Sequence, residues 1–259
     1  MKKLLTVLLL LAAATSNARQ QGAKPSARLV DSFGEIQLSY MVARLDSFAN
    51  ELQNDPAARG LVVAYSERNK FPGWPMRRAL WSAKYLADSR GLDRARLAVI
   101  DGGRGEETKS ELWVVPAGAE SPVKPYDAAL TMAGEKAPLP FDRIGVVERG
   151  DPDYSIYGQP HPDDEYLYAY FSEVLRRDPA LRGCVIGYTS KRGPRAAGRR
   201  IASRAKLTMA KAHGTDVSRV YAFGGGRREY KTIELWLVPP GAELPKPTPD
   251  LRTPRRKRQ

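Results

Sequence analysis

The stretch that decides the fold is Arg59-Gly60-Leu61-Val62-Val63-Ala64-Tyr65, a short apolar run introduced by Arg-Gly. A shift of 123 positions places it on Arg182-Gly183-Cys184-Val185-Ile186-Gly187-Tyr188. The same shift places Glu111-Leu112-Trp113-Val114-Val115-Pro116 on Glu234-Leu235-Trp236-Leu237-Val238-Pro239. A period of this length is that of a small domain, because solenoid units span roughly 20–50 residues. The chain therefore contains two copies of one domain.

Each copy shows the same succession of predicted elements. Apolar residues at steps of three and four predict a first helix, which ends at Asp55-Pro56 and at Asp178-Pro179. The apolar runs 61–65 and 184–188 predict a buried strand. A second, alanine-rich helix follows in each copy. Its predicted C-caps are Gly91 and Gly214.

Two further strands complete each copy, joined by glycine-rich stretches that are typical of a hairpin turn. A segment at 29–36 is the candidate for one more strand, ahead of the first helix. The order β-α-β-α-β-β, with two helices on one face of a small mixed sheet, predicts an α+β fold of two tandem two-layer sandwiches. The turns are Gly102-Gly103-Arg104-Gly105 and Gly224-Gly225-Gly226-Arg227.

The ends of the chain carry signals of their own. Met1-Lys2-Lys3 precedes an apolar run and the small residues Ser16-Asn17-Ala18, which is typical of a secretory signal peptide. We therefore expect cleavage near Ala18 and a mature protein in the periplasm or cell envelope, without a transmembrane segment. The predicted organisation is a signal peptide over 1–18, repeat one over 27–119, a Pro- and Ala-rich linker over 120–145, repeat two over 146–242 and a basic disordered tail over 243–259.

The net charge of +13 is concentrated in two places, the segment 191–204 and the tail 252–258. In an exported protein, such clusters favour an anionic lipid or envelope polymer over nucleic acid, and a merely solvated surface is the alternative. Cys184, the single cysteine, lies in an apolar run and is predicted to be a buried, unreactive thiol.

The second half of each copy carries a set of regularly spaced residues that resembles the OmpA-like C-terminal domain, the peptidoglycan-associating module of bacterial envelopes. The resemblance implies that an Asp after the first buried strand and an Arg entering the last strand grip diaminopimelate. In copy one Glu67 takes the place of the Asp and Lys109 that of the Arg, whereas copy two has no charged residue at either place. The residues that carry the resemblance are Arg78-Ala79, Tyr85-Leu86, Gly91-Leu92, Arg96-Leu97 and Gly103 in copy one, and Gly214, Arg219 and Gly224-Gly225-Gly226 in copy two.

Three further residues are candidates for ligand binding. Trp74 lies in the Pro-rich stretch Phe71-Pro72-Gly73-Trp74-Pro75, read as a loop, where it could stack on a sugar or fold back on its own domain. Arg104 and Arg227 occupy the same turn in both copies and are followed by Glu106 and Glu229. That arrangement is either a repeated recognition edge or an exposed ion pair of roughly 0–1 kcal/mol.

One string imitates a catalytic motif. His161-Pro162-Asp163-Asp164-Glu165 resembles the zinc-binding motif of the PIG-L/LmbE deacetylases, but Pro and acidic residues equally favour the start of a helix. Because a catalytic zinc normally needs three protein ligands and His213 is the only other histidine, we expect a helix start, no metal and no cofactor. The sequence therefore predicts a non-catalytic envelope-binding or scaffolding protein that contacts peptidoglycan or an anionic polymer. The alternatives are a protein-interaction module and, least favoured, a zinc-dependent deacetylase.

Overall fold

The computed structural model describes residues 25–68, 70–126, 135–145 and 166–250. Both repeats have the order β-α-β-α-β-β, which confirms the predicted α+β class. Repeat one consists of β1 (Arg28–Phe33), α1 (Leu38–Asn54), β2 (Arg59–Glu67), α2 (Gly73–Arg90), β3 (Leu97–Gly105) and β4 (Lys109–Val115). Repeat two consists of β5 (Leu139–Gly145), α3 (Leu167–Arg177), β6 (Arg182–Thr189), α4 (Ala197–His213), β7 (Val220–Arg227) and β8 (Thr232–Val238).

Each repeat forms its own four-stranded sheet, with the orders β1-β4-β2-β3 and β5-β8-β6-β7. In the first sheet β2 is parallel to β3 and antiparallel to β4. Because β2 lies between β3 and β4, these two strands do not form a hairpin, and the predicted hairpin edge is wrong. The glycines from Gly102 to Gly105 lie inside β3 instead of in a turn.

These glycines form a bulge beneath a tyrosine ring. The pairing of β2 with β3 moves from Ala64–Asp101 to Tyr65–Gly103, so Gly102 is the extra residue. A Cβ on Gly102 would collide with the Tyr65 ring, and Gly103 has a φ of 90°, which favours glycine. Repeat two uses its own glycines in the same way beneath Tyr188. The repeated glycines therefore shape the edge strand.

Local capping explains four of the residues that carry the OmpA-like resemblance. Gly91 and Gly214 adopt the left-handed conformation at the C-caps of α2 and α4, as predicted. Arg96 donates hydrogen bonds from Nη2 to the carbonyl oxygens of Leu52 (2.7 Å) and Asp55 (2.8 Å), at the C-terminal end of α1. Arg219 binds the corresponding end of α3. These arginines satisfy helix-terminal carbonyls and so have a structural role.

The first strand of repeat two occupies part of the predicted linker. Leu139–Gly145 forms β5 and pairs with β8, with a bulge between Pro140 and Asp142. Asp31 opposite Leu112 and Asp142 opposite Leu235 are equivalent, so β5 follows β1 by 111 positions and not by 123. The sequence did not predict this strand, because its offset from β1 differs from that of the other elements and because it contains Pro140. A proline is tolerated here because β5 is an edge strand with a bulge at this point.

The C-terminal boundary also differs from the prediction. Residues 243–250, assigned to a disordered tail, run over the outer face of the second sheet, where Leu244 packs against the cluster around Cys184 and Tyr188. The backbone N–H of Thr248 donates to the Tyr188 hydroxyl at 3.1 Å. Cys184 itself is a buried free thiol, as predicted, and burial raises its pKa to about 12. The predicted signal peptide over 1–18, the His161 string and residues 251–259 lie outside the described residues.

The two repeats pack against each other through different elements. Helix α2 of repeat one contacts α3 and β5 of repeat two, and one hydrophobic core extends through both repeats. At the junction Arg77 Nε donates to Asp142 Oδ2 at 2.8 Å, and the two side chains are 4% and 1% exposed. A Cβ on Gly73 would lie 2.8 Å from the Asp142 Cβ, so glycine permits this close approach. The sequence alone did not show this packing.

Candidate functional site

A pocket of about 390 Å³ lies where connecting segments of repeat one meet β5 of repeat two. The β2–α2 connection supplies Lys70 and Phe71, and the first turn of α2 supplies Trp74. We call this site the inter-repeat pocket because repeat two completes its wall. Its lining residues are Glu35, Lys70, Phe71, Trp74, Thr108 and Arg143.

Two aromatic rings form the apolar part of the pocket. Trp74 lies in the first turn of α2, so its assignment to a loop is wrong. The Arg78 guanidinium lies 5.1 Å from the centroid of the Trp74 ring, and the Arg143 guanidinium lies 5.0 Å from that of Phe71. Such cation–π contacts hold the rings and the guanidinium groups in fixed relative positions.

Charges of both signs surround the pocket. Lys70 Nζ lies 3.1 Å from Glu35 Oε1 and 3.3 Å from Glu67 Oε2, and hydrogen bonds to these two carboxylates raise the Lys70 pKa. Thr108 Oγ1 accepts a hydrogen bond from the Glu67 backbone N–H at 3.1 Å, which fixes the end of β2. Arg143 is exposed, and the described part of the chain gives its guanidinium no carboxylate partner. The site therefore contains one cation, Arg143, without a carboxylate partner among the described residues, and two carboxylates, Glu35 and Glu67, that both bind Lys70.

The structure separates the two residues that the family resemblance paired. Glu67 borders the inter-repeat pocket through Lys70, whereas Lys109 Nζ lies 3.1 Å from Glu111 Oε1 and 5.2 Å from the centroid of the Tyr65 ring. Glu111 and Tyr65 face away from the helices, toward the outer side of the sheet. Arg143 therefore lines the pocket together with Lys70, and Lys109 does not.

Lys109 belongs instead to a polar cluster that occurs in both repeats. Glu111 Oε2 accepts hydrogen bonds from the Tyr65 hydroxyl (3.2 Å) and from Trp113 Nε1 (3.0 Å). In repeat two Glu234 Oε2 accepts from Tyr188 (3.0 Å) and Trp236 (3.2 Å), and Glu234 Oε1 accepts from Arg228 Nη2 at 2.8 Å. Together these two sets form the tyrosine–carboxylate clusters.

Burial first, and then the Glu111 carboxylate, raise the Tyr65 pKa to about 12. Burial likewise raises the Tyr188 pKa above its ordinary range. Both hydroxyls therefore stay protonated and act as donors to their carboxylates at neutral pH.

Arg104 binds the backbone that follows β2, and Arg227 binds the backbone that follows β6. Arg104 Nη1 donates to the Arg68 carbonyl at 3.1 Å, and Arg227 Nη1 donates to the Lys191 carbonyl at 2.6 Å. Neither arginine forms an ion pair with Glu106 or Glu229 within the described residues, so the predicted ion pairs are wrong. Their repeated contacts are to the backbone.

Repeat two has a different set of residues at the positions that line the pocket. Gly193, Pro194, Ala197 and Lys231 stand where repeat one has Lys70, Phe71, Trp74 and Thr108. The aromatic residues of repeat one were visible in the sequence as a difference between the copies. Arg143 was missed because it lies on the strand whose offset had changed.

A second cavity, of about 290 Å³, lies between the repeats beside α2 and α3. The Tyr170 hydroxyl of α3 donates to Asp101 Oδ2 of β3 across this junction. Burial raises the pKa of both groups, which fits a hydrogen bond that joins the repeats. Because Asp101 and Tyr170 already bind each other, we interpret this cavity as part of the packing between the repeats and not as a candidate ligand site.

In the described ranges, no group of three or more His, Cys, Asp or Glu side chains could hold a metal ion. No helix in the same part of the chain is long and apolar enough to cross a membrane. Comparison with protein-family models finds no match, and comparison with curated proteins finds none either. The functional argument therefore depends on the site itself.

Proposed function

We propose that the chain is an exported, non-catalytic protein of the cell envelope, with OmpA-like repeats, that binds the diaminopimelate-containing stem of peptidoglycan at the inter-repeat pocket. The observation that carries the proposal is the Arg143 guanidinium beside Phe71, which has no carboxylate partner among the described residues. It lines the same pocket as Glu35 and as Lys70, which binds both Glu35 and Glu67. A zwitterionic ligand needs a cation and a carboxylate within one small site.

The position of the pocket supports this reading. The family resemblance places its ligand after the first buried strand and at the entry to the last one. Glu67 ends β2, and Thr108 directly precedes β4. Thr108 lines the inter-repeat pocket and Glu67 binds its lining residue Lys70, although the residue types differ from those of the family.

The chemistry of the side chains supports it further. Arginine presents a planar fork that binds a carboxylate through two hydrogen bonds, so Arg143 would take a ligand carboxylate. Glu67 and Glu35 would accept the ligand ammonium group in place of Lys70. Phe71 and Trp74 would pack against the aliphatic part of the stem or against a sugar ring.

The proposal also explains why both repeats are needed for one binding site. Repeat two contributes Arg143 but does not have the equivalent lining residues of its own. One composite site built from two repeats follows, instead of one site in each repeat.

The test is cosedimentation of the mature protein with purified peptidoglycan sacculi at low and high salt, with free diaminopimelate as competitor. We expect salt-resistant binding that Arg143→Gln and Glu67→Gln each weaken about tenfold, since a hydrogen bond to a charged group contributes roughly 1.5–3 kcal/mol. Arg94→Gln is the matched control, because Arg94 is an exposed arginine of repeat one whose partner is Asp88.

Three results would contradict the proposal. One is binding that both pocket variants leave unchanged. Another is binding by the wild-type protein that high salt abolishes, because that indicates general charge attraction. The third is the absence of any binding, which would direct attention to a protein partner.

A further inference from the structure

Helix α4 and the loop before it carry a concentrated positive charge with no acidic residue. Residues 191–213 contain eight Lys or Arg and no Asp or Glu. No side chain among these eight forms a hydrogen bond or ion pair with the residues that the structure describes. The exposed members, which define the α4 cationic face, are Lys191, Arg192, Arg195, Arg199, Arg200, Arg204 and Lys211.

In the equivalent segment of repeat one, several cations have a carboxylate partner. Arg77 binds Asp142, Lys84 binds Asp88 and Arg90 binds Asp46. The α4 cationic face is therefore a property of repeat two alone and not of the shared fold.

The packing between the repeats explains why this face is open. Met76 and Arg77 of α2 are buried at the junction with repeat two. Their equivalents in α4 are Arg199 and Arg200, and both are exposed. An apolar and ion-paired surface has thus been replaced by guanidinium groups that have no partner among the described residues.

One apolar side chain interrupts the charged surface. Leu207 is 57% exposed and follows Arg200 and Arg204 along the outer side of α4, at steps of four and three residues. With a rise of about 1.5 Å per residue, the row from Arg200 to Lys211 spans roughly 16 Å. A soluble polyanion would pair with the guanidinium groups but would leave Leu207 in water.

We propose that the α4 cationic face docks on a bilayer surface rich in anionic phospholipid. The guanidinium groups pair with lipid phosphates, and Leu207 enters the boundary between headgroups and acyl chains. The surface is separate from the inter-repeat pocket and does not depend on what that pocket binds.

The experiment measures partition of the mature protein onto vesicles of phosphatidylcholine alone and of phosphatidylcholine with one third phosphatidylglycerol. We expect binding to the anionic vesicles only. Arg200→Gln/Arg204→Gln should weaken it about 30-fold, because each cation near an anionic surface contributes roughly fivefold in affinity. Lys84→Gln/Arg94→Gln, which removes the same charge from repeat one, should retain binding.

Leu207→Gln separates lipid docking from simple charge attraction, because it leaves the charge unchanged and keeps a good helix former. We expect about a tenfold loss on anionic vesicles, from the apolar surface that no longer enters the bilayer. Leu29→Gln, at an exposed leucine of repeat one, is the control and should have no effect.

The lipid proposal is overturned if the anionic vesicles bind no protein or if the double α4 variant binds as the wild type does. It is also overturned if Leu207→Gln has no effect while soluble polyphosphate competes fully, because the α4 cationic face would then recognise a soluble polyanion.

Discussion

Repeat one lines the inter-repeat pocket with Lys70, Phe71 and Trp74 where repeat two has Gly193, Pro194 and Ala197, although the strands of the two repeats follow the same order and register. In repeat two a Cβ on Gly187 would collide with the Gly198 carbonyl, so α4 lies directly against β6 at this point. In repeat one the equivalent residues are Ala64 and Pro75, which both carry a Cβ. The comparison shows that the contact between helix and sheet differs between the repeats, whereas the order and pairing of the strands are the same.

The tyrosine–carboxylate clusters differ in a similar way. The Lys109 side chain is 30% exposed, whereas Arg228 is 7% exposed and also binds Thr248 of the C-terminal segment. Thr248 donates its backbone N–H to Tyr188, but Pro125 at the equivalent position has no N–H. The cluster of repeat two is therefore closed by its own chain, and that of repeat one is more open.

The largest expected difference in stability is between variants of the equivalent aspartates in β1 and β5, the first strands of the two repeats. Asp142→Asn removes a charged partner from the buried Arg77 and should lower the free energy of unfolding by about 3 kcal/mol. Asp31→Asn breaks an exposed pair with Arg44, whose side chains are 42% and 24% exposed, and should cost less than about 1 kcal/mol. Urea unfolding of both variants measures the difference, and equal losses would show that the junction does not stabilise the protein.

A smaller effect is expected where the helix–sheet contacts differ. Gly187→Ala inserts a methyl group against the Gly198 carbonyl and should destabilise the protein by about 1–3 kcal/mol, because that contact has no room. The matched exchange Ala64→Gly should cost only about 1 kcal/mol, from lost packing and added backbone freedom. Thermal or urea unfolding compares the two. A neutral Gly187→Ala variant would mean that α4 does not lie directly against β6.

The smallest effect is a pH dependence at the more open cluster. The Tyr65 pKa is about 12, above the ordinary value near 10, so folding favours the protonated hydroxyl. This contribution to stability is complete below pH of about 10 and is lost as the pH rises to about 12. The measurement is tyrosinate absorbance during alkaline titration, with Tyr65→Phe as the control that removes the signal.

Glu111→Gln sharpens that titration. Removing the carboxylate charge should lower the Tyr65 pKa only part of the way toward 10, because burial is the larger cause of the shift. A return to the ordinary value in this variant would contradict the assigned order of causes.

Local signals in the sequence predicted much of the framework. The spacing of Met41, Leu45, Phe48 and Leu52 predicted α1, and all four side chains are at most 1% exposed. The candidate site was predicted less completely. Trp74 was identified and lines the pocket, and Glu67 contacts the lining residue Lys70. The sequence paired Glu67 with Lys109, however, which the fold directs to the other side of the sheet.

The sequence by itself determined the duplication, the α+β class, the helix caps and the burial of Cys184. These features depend on periodicity and on turn residues that act over a few neighbouring positions, so they can be read along the chain. Only the tertiary structure decided that the repeats pack together, that residues 139–145 form an edge strand and that Arg143 reaches Phe71. Those contacts join residues far apart in the chain, and they exist because α2 buries one face against a neighbour that no local pattern specifies.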